Sequence, residues 1–356
     1  MASFSKKWIP AIAVPVLVIA GGAIITPIAA NAAVDLPDKT PTQVLALLAG
    51  TKTDAFSGTI TQTSDLGLPS LSSAGATSSF GTSSSDTSSD DALVSTLALL
   101  TGTHTIRAYV DGPSKTRVQL MDQLAEKDVV RNGSNVWVYD STKKSVQHAK
   151  IAAHDSTPDA STATPNEVAT KLVTALEPSS ALSVGTDLRV AGRTAYTLVL
   201  TPKAADTLVG EVSVSVDSAT GLPLSVAITA RGESSPAFTT AFTSVTLGAP
   251  SANLFDFTAP KGATVTQLAE PSRPAKNGAK SGAAPTVSGT GWDAIVSVPA
   301  LGDAVTSTPQ LAQLTTAVDG GRLLHTALVN VLITDDGSVY AGSVSPAKLE
   351  SAASAK

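Results

Sequence analysis

The residues best suited to move protons or hold a metal are four histidines, His104, His148, His154 and His325. None stands from another at the spacing that places two ligands on one helix face or one strand face, and no HExxH occurs. Each reads as an ordinary surface or strand histidine. Asp335-Asp336-Gly337 has the start of a calcium loop but lacks the later ligands, so it reads as a hairpin turn. The serine-rich runs have neither a base nor an orienting group beside them. Cysteine is absent, which excludes disulfides, thiol catalysis, cysteine-bound metals and a lipobox anchor. No GxSxG elbow, Walker A loop or GxGxxG is present. The sequence therefore points away from an enzyme and from any cofactor. A net charge of -5, with only 15% charged residues, gives no basic footprint for nucleic acid.

With no reactive centre, function must come from shape. The stretch 192–232 sets that shape. Residues 196–200, 212–216 and 224–228 alternate polar and apolar with period two, which turns one face of a strand to a core and the other to water. Residues 217–221 join the last two runs, with Gly221 free to take positive φ, and read as an antiparallel hairpin.

Before this meander the chain offers further strands and several helices. Residues 1–32 have a short basic region at Lys6 and Lys7, an apolar run, and a small-x-small site at Ala30-Asn31-Ala32. They read as a signal peptide cleaved near Ala32, with a retained membrane anchor as the alternative; either places the bulk of the protein outside the cytoplasm. Residues 41–49 read as an amphipathic helix capped by Thr40 and ended by Gly50, and 55–62 as a strand with Phe56, Gly58 and Ile60 on one face. The Ser/Thr-rich stretch 63–91 has too few apolar residues to order itself and reads as a flexible loop. Residues 91–100 follow as a helix.

Residues 103–110 and 115–121 form a second hairpin, and 129–150 a meander whose Asn132-Gly133 is a tight-turn signal. In it Trp137 and Tyr139 take one face and Val136 and Val138 the other. Thr164 to Glu167 is a capping box for a helix over 165–176. Two last strands are expected at 237–246 and 254–258. Residues 269–286 form a Pro/Gly/Ala/Lys linker, and 287–356 a small α+β unit. That unit reads as a strand at 292–298, a helix at 309–318, a hairpin of 322–334 with 339–344, and a helix from Pro346.

Four stretches resemble the LolA lipoprotein carrier family: 56–62, 131–139, 196–203 and 253–265. They occur in family order between about Pro41 and Thr266. The resemblance implies an α+β domain over residues 33–268, a strongly curved antiparallel half-barrel covered by helices, with an apolar cavity for acyl chains. A related fold serves the envelope-stress regulator RseB, which binds an anti-sigma factor. In the carrier family a basic residue before the hairpin proline helps latch the helices; here that position is Gly112.

The reading is an exported, non-enzymatic carrier or binding protein for the acyl chain of a lipid or lipoprotein. The alternative is an RseB-like regulator with a membrane-bound partner protein. By strand parity the lining residues are Phe56, Ile60, Ile106, Val110, Val118, Leu120, Val136 and Val138.

Overall fold

A computed structural model describes residues 34–51, 53–68, 102–121, 125–150, 177–268, 285–299 and 314–355. The signal-peptide reading, the helices expected at 91–100 and 165–176, and most of the Ser/Thr-rich stretch lie outside the described residues.

One helix, α1 (Pro41–Ala49), opens the described chain. Thr40 caps it as the sequence predicts: its hydroxyl accepts from Gln43 N, while Gln43 Oε1 accepts from Thr40 N at 2.8 Å. Val44 and Leu48, one turn apart, are its buried residues.

The strands that follow are β1 (Ala55–Ser64), β2 (Gly102–Asp111), β3 (Lys115–Met121), β4 (Glu126–Asn132), β5 (Asn135–Asp140) and β6 (Ser145–Lys150). After a 3-10 turn at Glu177–Ser179 come β7 (Ser180–Val184), β8 (Leu188–Val190), β9 (Arg193–Pro202), β10 (Val209–Asp217), β11 (Pro223–Ala230), β12 (Pro236–Leu247) and β13 (Thr264–Gln267). These thirteen make one sheet in the order β13-β6-β5-β4-β3-β2-β1-β12-β11-β10-β9-β7, with β8 also on β9. Its two ends do not meet, so the sheet is not closed. The turns match their residues: Gly133 and Gly221 hold φ of 62° and 78°, conformations that glycine takes without a Cβ penalty.

The sequence reading needs three corrections in this architecture. Residues 254–258 are no strand; a 3-10 turn occupies Ala252–Phe255, and its Phe255 is buried. The chain then crosses to the far edge of the sheet, and β13 pairs with β6 in parallel. The sheet is thus antiparallel everywhere but at this joint, because β13 arrives by a long crossover and not by a hairpin. Neither β7 nor β8 was foreseen; both are short and weakly alternating. His148 lies on a strand, as read, and is only 6% exposed, with Nδ1 at 2.8 Å from Gln267 Oε1 and Nε2 at 3.0 Å from Asn135 Oδ1.

A second sheet of six strands runs β14 (Thr286–Ser288), β15 (Ile295–Val298), β19 (Val339–Gly342), β18 (Asn330–Thr334), β17 (Gly321–His325) and β16 (Thr316–Val318), with α2 (Pro346–Ser354) packed on β18 and β19. The expected strand at 292–298 starts only at Ile295, after a 3-10 turn at Gly291–Asp293 that carries buried Trp292. Residues 322–334 split into two strands at a Thr326–Val329 turn, and Thr316–Val318 is strand where helix was expected. Leu349 of α2, Tyr340, Leu332, Leu323, Ile295 and Val344 form this unit's own core.

The two sheets are in direct contact. Trp292 Nε1 donates to Ser180 Oγ at 2.8 Å, and Leu208 N to Ser343 O at 2.8 Å. Lys348 Nζ lies 2.9 Å from Asp293 of its own unit and 3.8 Å from Asp206 across the junction.

Candidate functional site

Directly paired residues of an antiparallel ladder share a face. The register therefore decides whether the eight predicted lining residues lie together. Phe56 pairs with Val110 and Ile60 with Ile106. Ile106 pairs in turn with Leu120, and Ala108 with Val118. Val118 pairs with Val129, Val129 with Val138, and Arg131 with Val136. All eight fall on one face of β1 to β5.

That face is not uniform. Phe56, Ile60, Ile106 and Val110 are buried in a cluster with Leu222, Leu224 and Phe242. Phe56 and Phe242 meet edge to face at 5.9 Å between ring centroids, a favourable quadrupole geometry. Gly58 makes room for that contact: a Cβ there would stand 2.8 Å from the Phe242 ring and 2.5 Å from Ser244 O. Val118 and Leu120 are only partly buried against the cluster. Farther along, Val136 is 9% exposed and Val138 37%. The face thus passes from a packed core at β1 to partly buried residues on β3, and on β5 it has buried Val136 beside exposed Val138. Sequence parity found β1 to β5 but missed Phe242, Leu222 and Leu224, whose approach depends on irregularities. Register shifts interrupt β12 opposite Thr59 and Ile60 and β11 opposite Ser215 and Val216.

The opposite face of β3 to β6 is closed by the chain after β12. Trp137 stacks on His148 at 3.7 Å and on Phe257 at 5.5 Å between centroids. Arg117 donates to Leu254 O and holds Asp128 with two hydrogen bonds of 2.6 and 3.2 Å. Asn132 Nδ2 reaches Asp256 at 3.2 Å. The Trp137 and Tyr139 side of β5 is therefore partly covered by this chain itself; on the other side Val136 is buried and Val138 is exposed.

A second cluster lies under α1. Val44 and Leu48 pack with Tyr196, Leu198 and Leu200 of β9, Val212, Val214 and Val216 of β10, and Phe238 of β12. Tyr196 donates to Pro37 O at 3.0 Å and fixes the chain entering α1. Burial, with Asp187 and Asp38 nearby, pushes its phenol above the usual range.

Two buried carboxylates brace the sheet and differ in character. Burial raises the Asp128 pKa, and the Arg117 pair does not overcome it. Burial pulls Asp217 the same way, but Arg193 with two hydrogen bonds of 2.8 Å, plus the Thr220 hydroxyl and backbone N–H, outweighs it and lowers the pKa. The charge of nearby Glu126 adds to the upward push on Asp128. Among the described residues no group of histidine, aspartate and glutamate side chains could hold a metal.

Residues 98–262 match the family model described as the MucB/RseB N-terminal domain. That range spans β2 to β12 and takes in the motif stretches 131–139 and 196–203 and most of 253–265, but not 56–62. No curated protein matches the chain. Solved structures that resemble it include the MucA/MucB complex of Pseudomonas aeruginosa, at 17% identity over 87% of this chain and 96% of that one, with a TM-score of 0.45. A LolA superfamily protein from Nitrosomonas europaea is 9% identical over 61% of this chain and 98% of that one, with a TM-score of 0.24.

Proposed function

We propose that this chain, whose residues 98–262 carry the MucB/RseB N-terminal domain match, is an exported, non-enzymatic binding protein that holds an acyl chain of a lipid or lipoprotein against the apolar face of β1 to β5. The reading includes the sheet curving into a half-barrel around that chain. The observation that supports it most is the gradient on one face, from buried Phe56 and Ile60 to the 37% exposed Val138. Apolar burial there gains about 25 cal/mol per Å², which suits a ligand held without covalent chemistry. Val118, Leu120, Val136 and Val138 are proposed as its outer contacts, and Phe56, Ile60, Ile106 and Val110 as its inner wall.

Native mass spectrometry and lipid extraction of the mature protein test this, together with titration by cis-parinaric acid. A co-purifying acylated molecule and saturable binding that Val138→Asp weakens about tenfold are expected. No bound lipid and no saturable binding would remove the acyl-chain reading.

A second reading is a regulator that engages a membrane-bound, anti-sigma-type partner. The family match at residues 98–262 favours it, and MucB relatives are solved together with MucA. Site-specific cross-linking from Val136 and Val138 in cells separates the two: a specific protein adduct supports the regulator, and lipid alone supports the carrier. Among the described residues no helix is long and apolar enough to cross a membrane.

A further inference from the structure

The C-terminal unit keeps its own core, yet it places two large side chains elsewhere. Trp292 and Leu328 are each 3% exposed and belong to the cluster under α1, with Val44 and Leu48. Leu328 sits at the tip of the Thr326–Val329 turn between β17 and β18. Ala327 and Val329 on either side pack partly against the same cluster. The turn makes one backbone bond to the large domain, Ala327 N to Leu66 O at 3.0 Å. Leu66 lies two residues past the end of β1.

The turn is held by its own residues. Thr326 Oγ1 accepts from Leu328 N and Val329 N at 3.3 and 2.9 Å and donates to Val329 O at 2.6 Å. A turn satisfied internally keeps its shape whether or not it is docked. The turn's own docked contact is mainly apolar, with one backbone bond among the described residues, while Leu208 N to Ser343 O and Trp292 Nε1 to Ser180 Oγ hold the rest of the unit. It therefore has the physical character of a two-state contact: one preformed element, seated or withdrawn.

Its seat lies at one end of the proposed binding face. Going along β1, Phe56 and Ile60 give way to buried Gln62 and Ser64, and then to Leu66 and the turn. We propose that the Thr326–Val329 turn is a stopper: an acyl chain extending along β1 and the turn compete for the apolar seat beside Leu66 and α1. Occupancy of the large domain then releases the turn, with the unit still held at Ser343 and Trp292, and docking of the turn limits how much chain the large domain accepts. This rests on the acyl-binding reading and adds a regulator to the same face.

The test uses the full mature chain with cis-parinaric acid, in wild type and in Leu328→Asp, which makes the seated state costly by burying an unpaired charge. A second variant, Thr326→Val, loosens the turn without adding charge and serves if Leu328→Asp loses its circular-dichroism signature. At least threefold tighter binding by the variant is expected. In wild type, saturation with the probe should speed hydrogen exchange at the Ala327 amide severalfold. Binding unchanged in the folded variant, with Ala327 exchange unchanged on saturation, overturns the stopper and leaves the acyl reading standing. No binding by wild type and variant alike overturns both.

Discussion

The two halves of the large sheet use their apolar faces differently. In β7 to β12 the face is sealed: α1, Leu66, Trp292 and Leu328 cover it, and Leu198, Leu200 and Val214 have no exposure. In β2 to β5 the same face fades from Ile106, 3% exposed, to Val138, 37% exposed. Similar alternating sequences thus make a core in one half and a surface in the other. Alternation specifies that a face is apolar; what else the chain brings to that face decides whether it packs or binds.

The largest expected effect lies in the sealed half. Leu48→Ala removes a fully buried side chain and should cost about 2–5 kcal/mol in urea unfolding, whereas Val138→Ala should stay within about 0.5 kcal/mol. Equal losses at the two positions would break the contrast. Next is the seam between the halves. Gly58→Ala drives a methyl group toward Ser244 O and the Phe242 ring, and should cost about 1–3 kcal/mol by the same measurement. No loss would mean that β1 and β12 part easily and the halves are not one sheet in solution.

The two buried aspartates sharpen the contrast by pH. Asp217, in the sealed half, has a lowered folded pKa. Its ionisation stabilises the fold above the unfolded value of about 3.9, and that contribution is lost as pH falls through the lower folded pKa. Asp128, in the graded half, has a raised folded pKa. Its proton stabilises the fold below about 3.9, and the contribution is lost as pH rises through the raised value. Unfolding free energies of Asp217→Asn and Asp128→Asn, measured against wild type in acid, should therefore diverge with opposite slopes; parallel slopes would refute the assignment. The smallest effect is expected at the crossover. Phe257→Ala removes a ring from Trp137 and should speed amide exchange in β13, with little change in global stability.

Much of the strand content was legible because its causes are local. Period-two alternation marked β9 to β11, Thr40 and Pro41 marked α1, and Asn132-Gly133 and Gly221 marked turns whose φ only glycine takes cheaply. Alternation also placed Phe56 with Ile60, and Val136 with Val138, on common faces. Residues 254–258 misled because an apolar, aromatic run looks like a strand. Its Phe255 and Phe257 instead pack across the sheet, and a 3-10 turn suits that.

By itself the sequence determined where the alternating strands of the meander and their tight turns fall, since turn chemistry and alternation act over a few residues. Only the tertiary structure decided that β13 returns in parallel to β6, that Phe242 reaches Phe56 past an irregularity, and that Leu328 leaves its own unit to pack under α1. Those outcomes turn on which distant surfaces meet, and the free energy of burial belongs to the pair of surfaces rather than to either segment alone.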